Sequence, residues 1–364
     1  MINEKILVFG GSFDPPHKYH ANILKKAAKT VKPNKIIIVP TYISPFKNEH
    51  CADYVHRKEM LKIIIKKNKI KAYIDDFEYK RGKKTYTYQL AKYLKRKYKK
   101  SEFYFLLGSD SYNSLEKWKR YEEIKRIFKF AVAVREGHEI KKTIVENAII
   151  LKGRFKNLSS TEIRNRLFCG DYSLIDKEIK KYILKKGLYF SNIIREIKKL
   201  QTKKRFKHSL CVTKLALELS RIYKSDTAKT ALASLLHDAT KDMKLEKQLE
   251  LIKKSDIKVK KISSVIKDFP EILHQWSAAA YSKTKFNITD KEILSAVKKH
   301  TTGDRNMSLL DKIIYVSDMA AEDRNFKEAG IIKELAKKDI NEAYEKAKKI
   351  KENFVKMKKQ KLYE

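Results

Sequence analysis

The chain has few cysteines, and it has no long apolar run. Cys51, Cys169 and Cys211 are the three cysteines among its 364 residues, and they lie far apart with no CxxC pair. This usage excludes a disulfide-stapled scaffold and is typical of a reducing cytoplasm, where we expect the protein to be located. The lack of any run of about 18 apolar residues excludes a membrane-spanning helix, so no membrane partner is expected. The first residues read as a strand instead of a signal peptide.

The sequence also shows no internal repeat and no long disordered linker. Its length exceeds that of one typical domain, and 42% hydrophobic with 10% aromatic residues supply material for more than one core. We therefore predict two domains, residues 1–190 and residues 191–364, joined near 187–192.

Acidic residues are outnumbered. The 84 lysines and arginines against 44 aspartates and glutamates give a formal net charge of +40. Such an excess attracts nucleoside polyphosphates, and it also attracts nucleic acids. The lysines are spread over the whole chain, and few aromatic residues alternate with arginines. We therefore favour the steering of anionic nucleotides over specific nucleic-acid binding; the sequence leaves the oligomeric state open.

Strand and helix patterns differ between the two halves. In the first half, candidate strands lie at 5–9, 35–39, 71–77, 102–107, 129–134 and 148–152, and closing helices lie near 160–168 and 174–186. This alternation predicts an α/β doubly wound parallel sheet, which is a Rossmann-like architecture with ligands at the carboxyl ends of its strands. From about residue 191 the strands stop. Helical spacing at 208–223, 227–239, 288–299 and 308–321 predicts an all-α second domain, whose lysine-rich tail from Lys346 is expected to fray.

The run GGSFDPPHKYH at 10–20 joins the first strand to a helix near 18–30. A glycine turn at a helix N-terminus lets backbone N–H groups and the helix dipole hold a phosphate. His17 and His20 fall on one face of the first helical turn. A second helix start, SSTEIR at 159–164, offers hydroxyls and one guanidinium to the far side of a triphosphate. The candidate residues for binding a nucleoside triphosphate are Gly10, Gly11, Ser12, Phe13, Ser159, Ser160 and Thr161, with Arg164 as a cationic clamp.

This run resembles the signature of the nucleotidyltransferase superfamily, with Tyr19 in place of the glycine between the histidines. Further segments are similar to bacterial nicotinate-nucleotide adenylyltransferases: PFK at 45–47, DFE at 76–78, TYT at 85–87, LGSDS at 107–111, Trp118 and VREGH at 134–138. The resemblance implies transfer of an adenylyl group from ATP to nicotinate mononucleotide, giving deamido-NAD in NAD biosynthesis, with Mg²⁺ as cofactor. It does not decide between the nicotinate and nicotinamide nucleotides.

The resemblance also implies roles for single residues. His17, His20, Lys47 and Arg164 would be catalytic, because the acceptor phosphate is already an anion and the work is positioning and charge neutralisation. Gly108 and Asp110 would contact ATP. Thr85, Tyr86, Trp118 and Arg135 would contact the nicotinate nucleotide; the alternative for Trp118 is a place in the core.

The second domain carries candidate metal ligands. His237-Asp238 ends an apolar helix, and His208, His274, His300 and Asp318 lie near helix ends or in helices that must pack. Neutral imidazoles and carboxylates are ligands of divalent transition metals, and they are costly to bury without partners. The alternative is a set of structural core histidines.

The order and context of these residues resemble the bacterial HD hydrolases that split diadenosine tetraphosphate symmetrically into ADP. The resemblance departs at Gln275-Trp276. It implies two metals, iron or else manganese or magnesium, held by His208, His237, Asp238, His274, His300 and Asp318, with Asp238 bridging and catalytic. Polyphosphate contacts would be Lys241, Thr301, Thr302 and Arg324. Two alternatives stay open: hydrolysis of another phosphate ester, such as an alarmone or a cyclic dinucleotide, or an RNA-associated regulatory module.

Overall fold

The computed structural model describes residues 4–43, 51–141, 144–155 and 158–360, with side chains throughout except at 154 and 354–360. The chain divides into two compact units. One comprises Met1–Arg166 and Tyr172–Tyr189, and the other comprises Leu167–Asp171 and Phe190–Glu364. Among the residues described, no helix is long and apolar enough to cross a bilayer.

The first unit is built on a parallel sheet of six strands in the order β3-β2-β1-β4-β5-β6. The strands are β1 (Glu4–Gly11), β2 (Lys35–Pro40), β3 (Tyr73–Ile74), β4 (Ser101–Gly108), β5 (Phe128–Arg135) and β6 (Ile149–Phe155). The helices are α1 (Lys18–Val31), α2 (Tyr54–Lys67), α3 (Phe77–Arg81), α4 (Thr87–Lys97), α5 (Ser109–Tyr112), α6 (Tyr121–Ile127), α7 (Ser160–Phe168) and α8 (Lys177–Lys186).

The central strands are apolar because both faces of the sheet are covered. Ile6, Leu7 and Val8 of β1 are fully buried, and they alternate between two hydrophobic cores on opposite sides of the sheet. From β1 the chain adds β2 and β3 on one side of the sheet, and it then returns to add β4, β5 and β6 on the other side. The carboxyl ends of β1 and β4 therefore flank the crevice where doubly wound folds bind ligands. The predicted fold class of this half is confirmed.

One predicted strand is wrong in extent. The segment 71–77 forms only the two-residue strand β3, and α3 follows it at Phe77. The Asp75 carboxylate accepts a hydrogen bond from the Phe77 N–H at 3.0 Å, which turns the chain out of the sheet. Apolar pattern alone does not register such a turn.

The second unit is helical throughout its described residues. Its helices are α9 (Ser191–Leu200), α10 (Lys203–Ile222), α11 (Thr227–Leu236), α12 (Leu245–Lys253), α13 (Ile262–Asp268), α14 (His274–Phe286), α15 (Lys291–Lys299), α16 (Leu309–Ala320), α17 (Lys327–Lys338) and α18 (Ile340–Gln360). Helix α16 is central, because ten of its residues from Leu310 to Ala320 are buried. The predicted all-α second domain is confirmed.

Capping residues set several helix boundaries that differ from the predicted ones. Helix α10 begins five residues before the predicted position, at Lys203, because the Thr202 side chain accepts from the Arg205 N–H. Helix α15 begins at Lys291 because Asp290 caps it in the same way. Helix α18 runs to Gln360 and so includes most of the lysine-rich tail from Lys346, whose expected fraying stays a prediction.

Candidate active sites

The first candidate site surrounds the turn between β1 and α1. Phe13 is buried with a positive φ of 47°. A Cβ at Gly11 would lie 3.1 Å from the Phe13 ring, so the turn has room for glycine there. His17 caps α1, and its backbone N–H donates to Nδ1 of His20 at 3.2 Å. The two imidazole centroids are 3.7 Å apart, so both histidines lie at the start of the helix, where an anion binds best.

Both imidazoles are neutral in the free protein. Burial, together with the nearby Arg135 guanidinium, lowers the pKa of His17 to about 3. Burial, His17 and Arg135 together hold the pKa of His20 well below its usual value. The buried Nδ1 of His17 has no hydrogen-bond partner among the described residues. A neutral imidazole can donate one N–H to a phosphate oxygen without placing a second positive charge in the site.

The second predicted helix start lies against this same turn. One Nη atom of Arg164 donates to the backbone carbonyl of Asp14 at 2.8 Å, and the other donates to the Thr161 hydroxyl at 3.0 Å. The Ser160 hydroxyl donates to the Pro15 carbonyl at 3.3 Å. Ser159 accepts from the Glu162 N–H and so caps α7. The structure therefore brings the hydroxyls and guanidinium of 159–164 next to the loop at 10–17.

The carboxyl ends of β4 and β5 supply an acidic group, Asp110, and a basic group, Arg135. Arg135 donates to Asp110 Oδ2 at 3.2 Å, and its backbone N–H donates to the Ser109 hydroxyl at 3.0 Å. A Cβ at Gly108 would contact Asp110 Oδ1 and lie 2.8 Å from Arg135 Nε, so any larger residue here would displace these two side chains. Arg135, expected at the nicotinate nucleotide, is thus paired with Asp110 and influences both histidines. The predicted residue Lys47 lies outside the described residues.

The remaining predicted nucleotide contacts lie on neighbouring segments. Thr85 is buried and donates to the Lys83 carbonyl, and Tyr86 precedes α4. The Lys119 ammonium lies 4.8 Å from the Tyr86 ring centroid, which brings the residue after Trp118 to this segment. Trp118 meets the Phe105 ring edge-to-face at 6.2 Å and is half-buried. Trp118 therefore packs against the core of the first unit while part of its side chain stays accessible.

Sequence reasoning missed a buried network beneath the first site. Asp14 accepts from the backbone N–H groups of Cys51 at 2.9 Å and Ala52 at 3.2 Å, and from the Tyr189 hydroxyl at 2.7 Å. Arg57 is 1% exposed and donates to the carbonyls of Ser12 and Thr41, both at 2.7 Å. These contacts hold the loop at 10–17 in place. Asp14 lies inside the quoted motif, but nothing local in the sequence pairs it with Tyr189.

The second candidate site gathers all six predicted metal ligands of the helical unit. His208 comes from α10, Asp318 from α16, and the other four come from helix ends. Ligand atoms of His208, His237 and Asp318 lie within 4.8 Å of one another, and so do those of His237, Asp238 and His300. His274 Nε2 lies 3.1 Å from Asp238 Oδ1, and His300 Nε2 lies 3.3 Å from the same oxygen. Asp238 is therefore central to the whole set.

Each histidine of this set has its other ring nitrogen held by an oxygen. The Nδ1 atoms of His237, His274 and His300 each lie 2.7 Å from a backbone carbonyl, those of Ser234, Glu271 and Val297 respectively. Nδ1 of His208 lies 3.0 Å from Asp323. Because a carbonyl oxygen can only accept a hydrogen bond, the Nδ1 atoms of these three histidines carry the ring proton. Their Nε2 atoms therefore have free lone pairs, which face the centre of the set. This is the arrangement in which proteins hold metal-binding imidazoles.

The charges of the ligand set fit a divalent cation. His237 Nε2 is buried without a hydrogen-bond partner in the part of the chain that the structure describes, and burial lowers the pKa of His237 to about 3. Burial opposes the ionisation of Asp238, but the neighbouring His237, His274 and His300 outweigh it and hold its pKa well below the usual range. The set thus offers neutral imidazoles and ionised carboxylates, which together suit a divalent transition metal.

Cationic side chains surround the two carboxylates. Arg205 donates to Asp238 Oδ2 at 3.0 Å, and Lys241 lies 3.2 Å from the same oxygen. Arg324 pairs with Asp318. Lys241 and Arg324 were predicted, whereas Arg205 and Asp323 were missed as site residues because their partners lie far away in the sequence. These cations form a positive rim suited to a polyanion.

Two predicted threonines stand at different places in this site. The Thr301 hydroxyl lies 3.1 Å from His274 Nε2 and 2.9 Å from His300 Nε2, so it is inside the ligand cluster. The exposed Thr302 donates from its hydroxyl to Gln275 Oε1 at 3.3 Å. Gln275, where the sequence departs from the resemblance, therefore holds the turn after His300.

A cavity of about 510 Å³ opens beside this cluster. It is lined by Thr202, Lys204, Arg205, His208, Asp323, Arg324, Asn325 and Phe326. Its volume falls within the range of small-molecule sites. Three cations and one aromatic ring along its wall suit a ligand that has both phosphates and a base.

Comparisons with known proteins divide the chain in the same order. The cytidylyltransferase-like family matches residues 8–166, and the HD domain family matches residues 205–323. The HD match, together with the His/Asp groups, indicates that the second unit binds divalent metal.

Two relatives span nearly the whole chain. A Mycoplasma genitalium protein described as "Probable nicotinate-nucleotide adenylyltransferase/Ap4A hydrolase" is 33% identical over 98% of this chain and 100% of its own length. A Mycoplasma pneumoniae protein with the same description is 29% identical over 93% and 96%.

Two solved structures each cover about half of the chain. The Plasmodium falciparum nicotinic acid mononucleotide adenylyltransferase complexed with NaAD covers 52% of this chain and 100% of its own, with 25% identity and a TM-score of 0.45. A Clostridium acetobutylicum protein described as a "predicted HD superfamily hydrolase involved in NAD metabolism" covers 42% and 80%, with 34% identity and a TM-score of 0.40. Because the Mycoplasma genitalium relative matches from end to end, the chain belongs to the family of two-part proteins named nicotinate-nucleotide adenylyltransferase/Ap4A hydrolase.

Proposed function

We propose that the protein is a bifunctional enzyme. Residues 1–190 transfer an adenylyl group from ATP to nicotinate mononucleotide, and residues 191–364 hydrolyse diadenosine tetraphosphate to ADP. Both activities handle polyphosphates that are available in the cytoplasm, a compartment that also suits the three free thiols.

The first activity rests mainly on one observation. The turn at 10–13, the neutral His17 and His20, and the Arg164 guanidinium lie around one helix start. In this activity the nicotinate mononucleotide phosphate attacks the α-phosphorus of ATP, and the bond to pyrophosphate breaks. A Mg²⁺ ion bound with ATP would supply charge neutralisation at the phosphate oxygens.

The residues of the first site have matching tasks. The backbone at 10–13 holds the triphosphate, and the imidazole N–H groups of His17 and His20 bind phosphate oxygens as charge develops on them. Arg164 binds the leaving pyrophosphate from the other side. Asp110 contacts the ribose or adenine, and Tyr86 with Trp118 lies beside the pyridine ring. Lys47 remains a proposed clamp on the phosphates.

The second activity rests on the six converging ligands with their Nδ1 atoms held by oxygens. His208, His237, Asp238 and Asp318 would hold one metal, and Asp238 would share a second with His274 and His300. Iron, manganese or magnesium at these positions would activate water and neutralise phosphate charge. Thr301 donates its hydroxyl next to the reacting phosphate, and Lys241 and Arg324 bind the flanking phosphates.

The charge of the second site favours a polyphosphate over a monoester. Arg205, Lys241 and Arg324 bring three positive charges to the Asp238 and Asp318 carboxylates. Lys204 and Arg205 continue this charge along the cavity wall. A chain of several phosphates can contact all of them at once, whereas one phosphate cannot.

Product analysis on the purified full chain tests both activities. With ATP and nicotinate mononucleotide, deamido-NAD and pyrophosphate are expected, and nicotinamide mononucleotide in parallel measures acceptor preference. With diadenosine tetraphosphate and Mn²⁺, Fe²⁺ or Mg²⁺, ADP is expected as the only product. AMP with ATP would contradict symmetric cleavage, and no turnover by metal-loaded protein would point to an alarmone or cyclic dinucleotide as substrate.

A further inference from the structure

The terminal helix α18 reaches the second site from outside the matched HD region. The HD match ends at residue 323, whereas α18 spans Ile340–Gln360. Lys346 and Lys349 of this helix are exposed, as expected of a solvated helix face. Lys351 differs from them, because its ammonium group is turned toward the metal-ligand set and 24% of its side chain is exposed.

The Lys351 ammonium binds the turn that carries a metal ligand. Its Nζ donates to the backbone carbonyl of His300 at 3.1 Å and to that of Thr301 at 3.0 Å. The same Nζ lies 3.6 Å from Asp318 Oδ2 and 4.3 Å from the centroid of the Tyr315 ring. One cation therefore connects the turn after α15 to the carboxylate and aromatic ring of α16.

A second residue of α18 holds the other end of the same turn. The Tyr344 hydroxyl donates to the Asp304 carbonyl at 3.0 Å. Gly303, which precedes Asp304 in this turn, has a positive φ of 68°, and a Cβ there would lie 2.8 Å from the Tyr344 hydroxyl oxygen. Tyr344 and Lys351 are seven residues apart, which places them on one face of the helix. Helix α18 thus clamps residues 300–304 at both ends.

We propose that Lys351 is a positioning residue of the hydrolase site, which rests on the hydrolase function proposed above. It keeps the turn that carries His300 and Thr301 at a fixed distance from Asp318. His300 and Asp318 are then both in position to bind metal, and Thr301 is in position to contact the substrate. Removing an ammonium group from water costs free energy unless oxygens surround it, and here the carbonyls of His300 and Thr301 and the Asp318 carboxylate offset that cost. Partners that orient ligand residues typically contribute about 10–100-fold to metal affinity or activity.

The test compares Lys351→Met with Lys349→Met in the full chain. Both variants remove one ammonium from α18 and keep a long side chain, but Lys349 is exposed. We expect Lys351→Met to lower kcat for diadenosine tetraphosphate by about 10–100-fold with a smaller change in KM, and to weaken Mn²⁺ binding measured by equilibrium dialysis. Lys349→Met should behave as the wild type, and adenylyl transfer should be unchanged in both.

Three further outcomes keep the inference separate from folding and from the proposed function. Lys351→Arg keeps the charge and should recover part of the kcat and Mn²⁺ affinity lost in Lys351→Met. If Lys351→Arg loses as much kcat and Mn²⁺ affinity as Lys351→Met, Lys351 has no positioning role. The same conclusion follows if Lys351→Met behaves like Lys349→Met. A wild-type protein without hydrolase activity would overturn the proposed substrate, and the Mn²⁺ affinities would still decide the role of Lys351.

Discussion

The Nε2 atoms of His274 and His300 lie 3.1 Å apart, while the Nδ1 atom of each ring is bound to a backbone carbonyl. With both Nδ1 atoms acting as donors, the two lone pairs face one another across Asp238 Oδ1. The Thr301 hydroxyl lies within 3.1 Å of both nitrogens but can donate its proton to only one of them, so the other lone pair and the Asp238 carboxylate together attract a cation. The pair therefore suits a metal ion, and Asp238 connects His274 and His300 to the other ligands of the set.

Asp238→Asn should separate the two activities. The change removes the shared carboxylate charge, so we expect hydrolysis to fall by about 10³-fold or more, a scale typical of lost electrostatic stabilisation at a reacting group. Adenylyl transfer by the same preparation should stay at the wild-type rate. Asp256→Asn is the matched control, since Asp256 is an exposed partner of Lys283. Loss of both activities in Asp238→Asn alone would show that the units do not work independently.

His20→Ala should impair adenylyl transfer far more than stability. The variant loses an N–H that binds phosphate, and we expect kcat to fall by about 10²–10³-fold. The unfolding free energy should change by only about 1 kcal/mol, because His20 is half-buried and its Nδ1 accepts a single backbone hydrogen bond. Asn22→Ala, at an exposed position on the same helix, is the control. Normal turnover by His20→Ala would remove it from the site.

His17 should make the first unit less stable in acid. Its pKa of about 3 in the folded state lies below the ordinary value of 6.5. The unfolded chain therefore takes up a proton at His17 below pH 6.5 while the folded state does not. The stability from the neutral imidazole is complete above that pH and is lost as pH falls toward 3, by about 1.4 kcal/mol per pH unit.

Fluorescence can measure this loss in one unit alone. Trp118 and Trp276 are the two tryptophans of the chain, one in each unit. In a Trp276→Phe background, urea unfolding followed by Trp118 reports the first unit. Its unfolding free energy should fall less steeply between pH 6.5 and 5 when His17→Gln is added. An identical slope with and without His17 would contradict the assigned pKa direction.

Gly108→Ala and Gly330→Ala should shift stability in opposite directions. The added methyl at Gly108 collides with Asp110 and Arg135, so we expect a loss of about 1–3 kcal/mol in the first unit, together with weaker ATP binding. At Gly330, inside α17, a Cβ meets nothing within 4 Å, so alanine should stabilise the second unit by about 0.5–1 kcal/mol. Unfolding monitored by Trp118 and by Trp276 separately distinguishes the two effects. A tolerated Gly108→Ala would mean that Arg135 moves aside easily.

The sheet could be predicted because each central strand is apolar on both faces. Runs such as the one at β1 leave little choice of structure, and predicted and observed positions agree within a few residues. Strand β3 was overestimated because the Asp75 side chain turns the chain, which is a polar contact and not a pattern of hydrophobicity.

The site was predictable where its residues share a short segment. His17 with His20, and His237 with Asp238, stand out because chemistry and spacing coincide locally. Arg205, Asp323 and Lys351 were not predicted as site residues, because each acts on a partner at least thirty residues away. A lysine on a lysine-rich helix gives no sign of burial until the packing of that helix is known.

The hydrogen bond from Tyr189 to Asp14 spans 175 positions of the sequence and has a consequence for synthesis of the chain. A ribosome makes the nucleotide loop among its first residues and the tyrosine that holds Asp14 only at the end of the first unit. During translation the loop therefore exists for most of that time without its final contact. A nascent chain released before Tyr189 would carry the whole signature motif and still lack the hydroxyl that secures it.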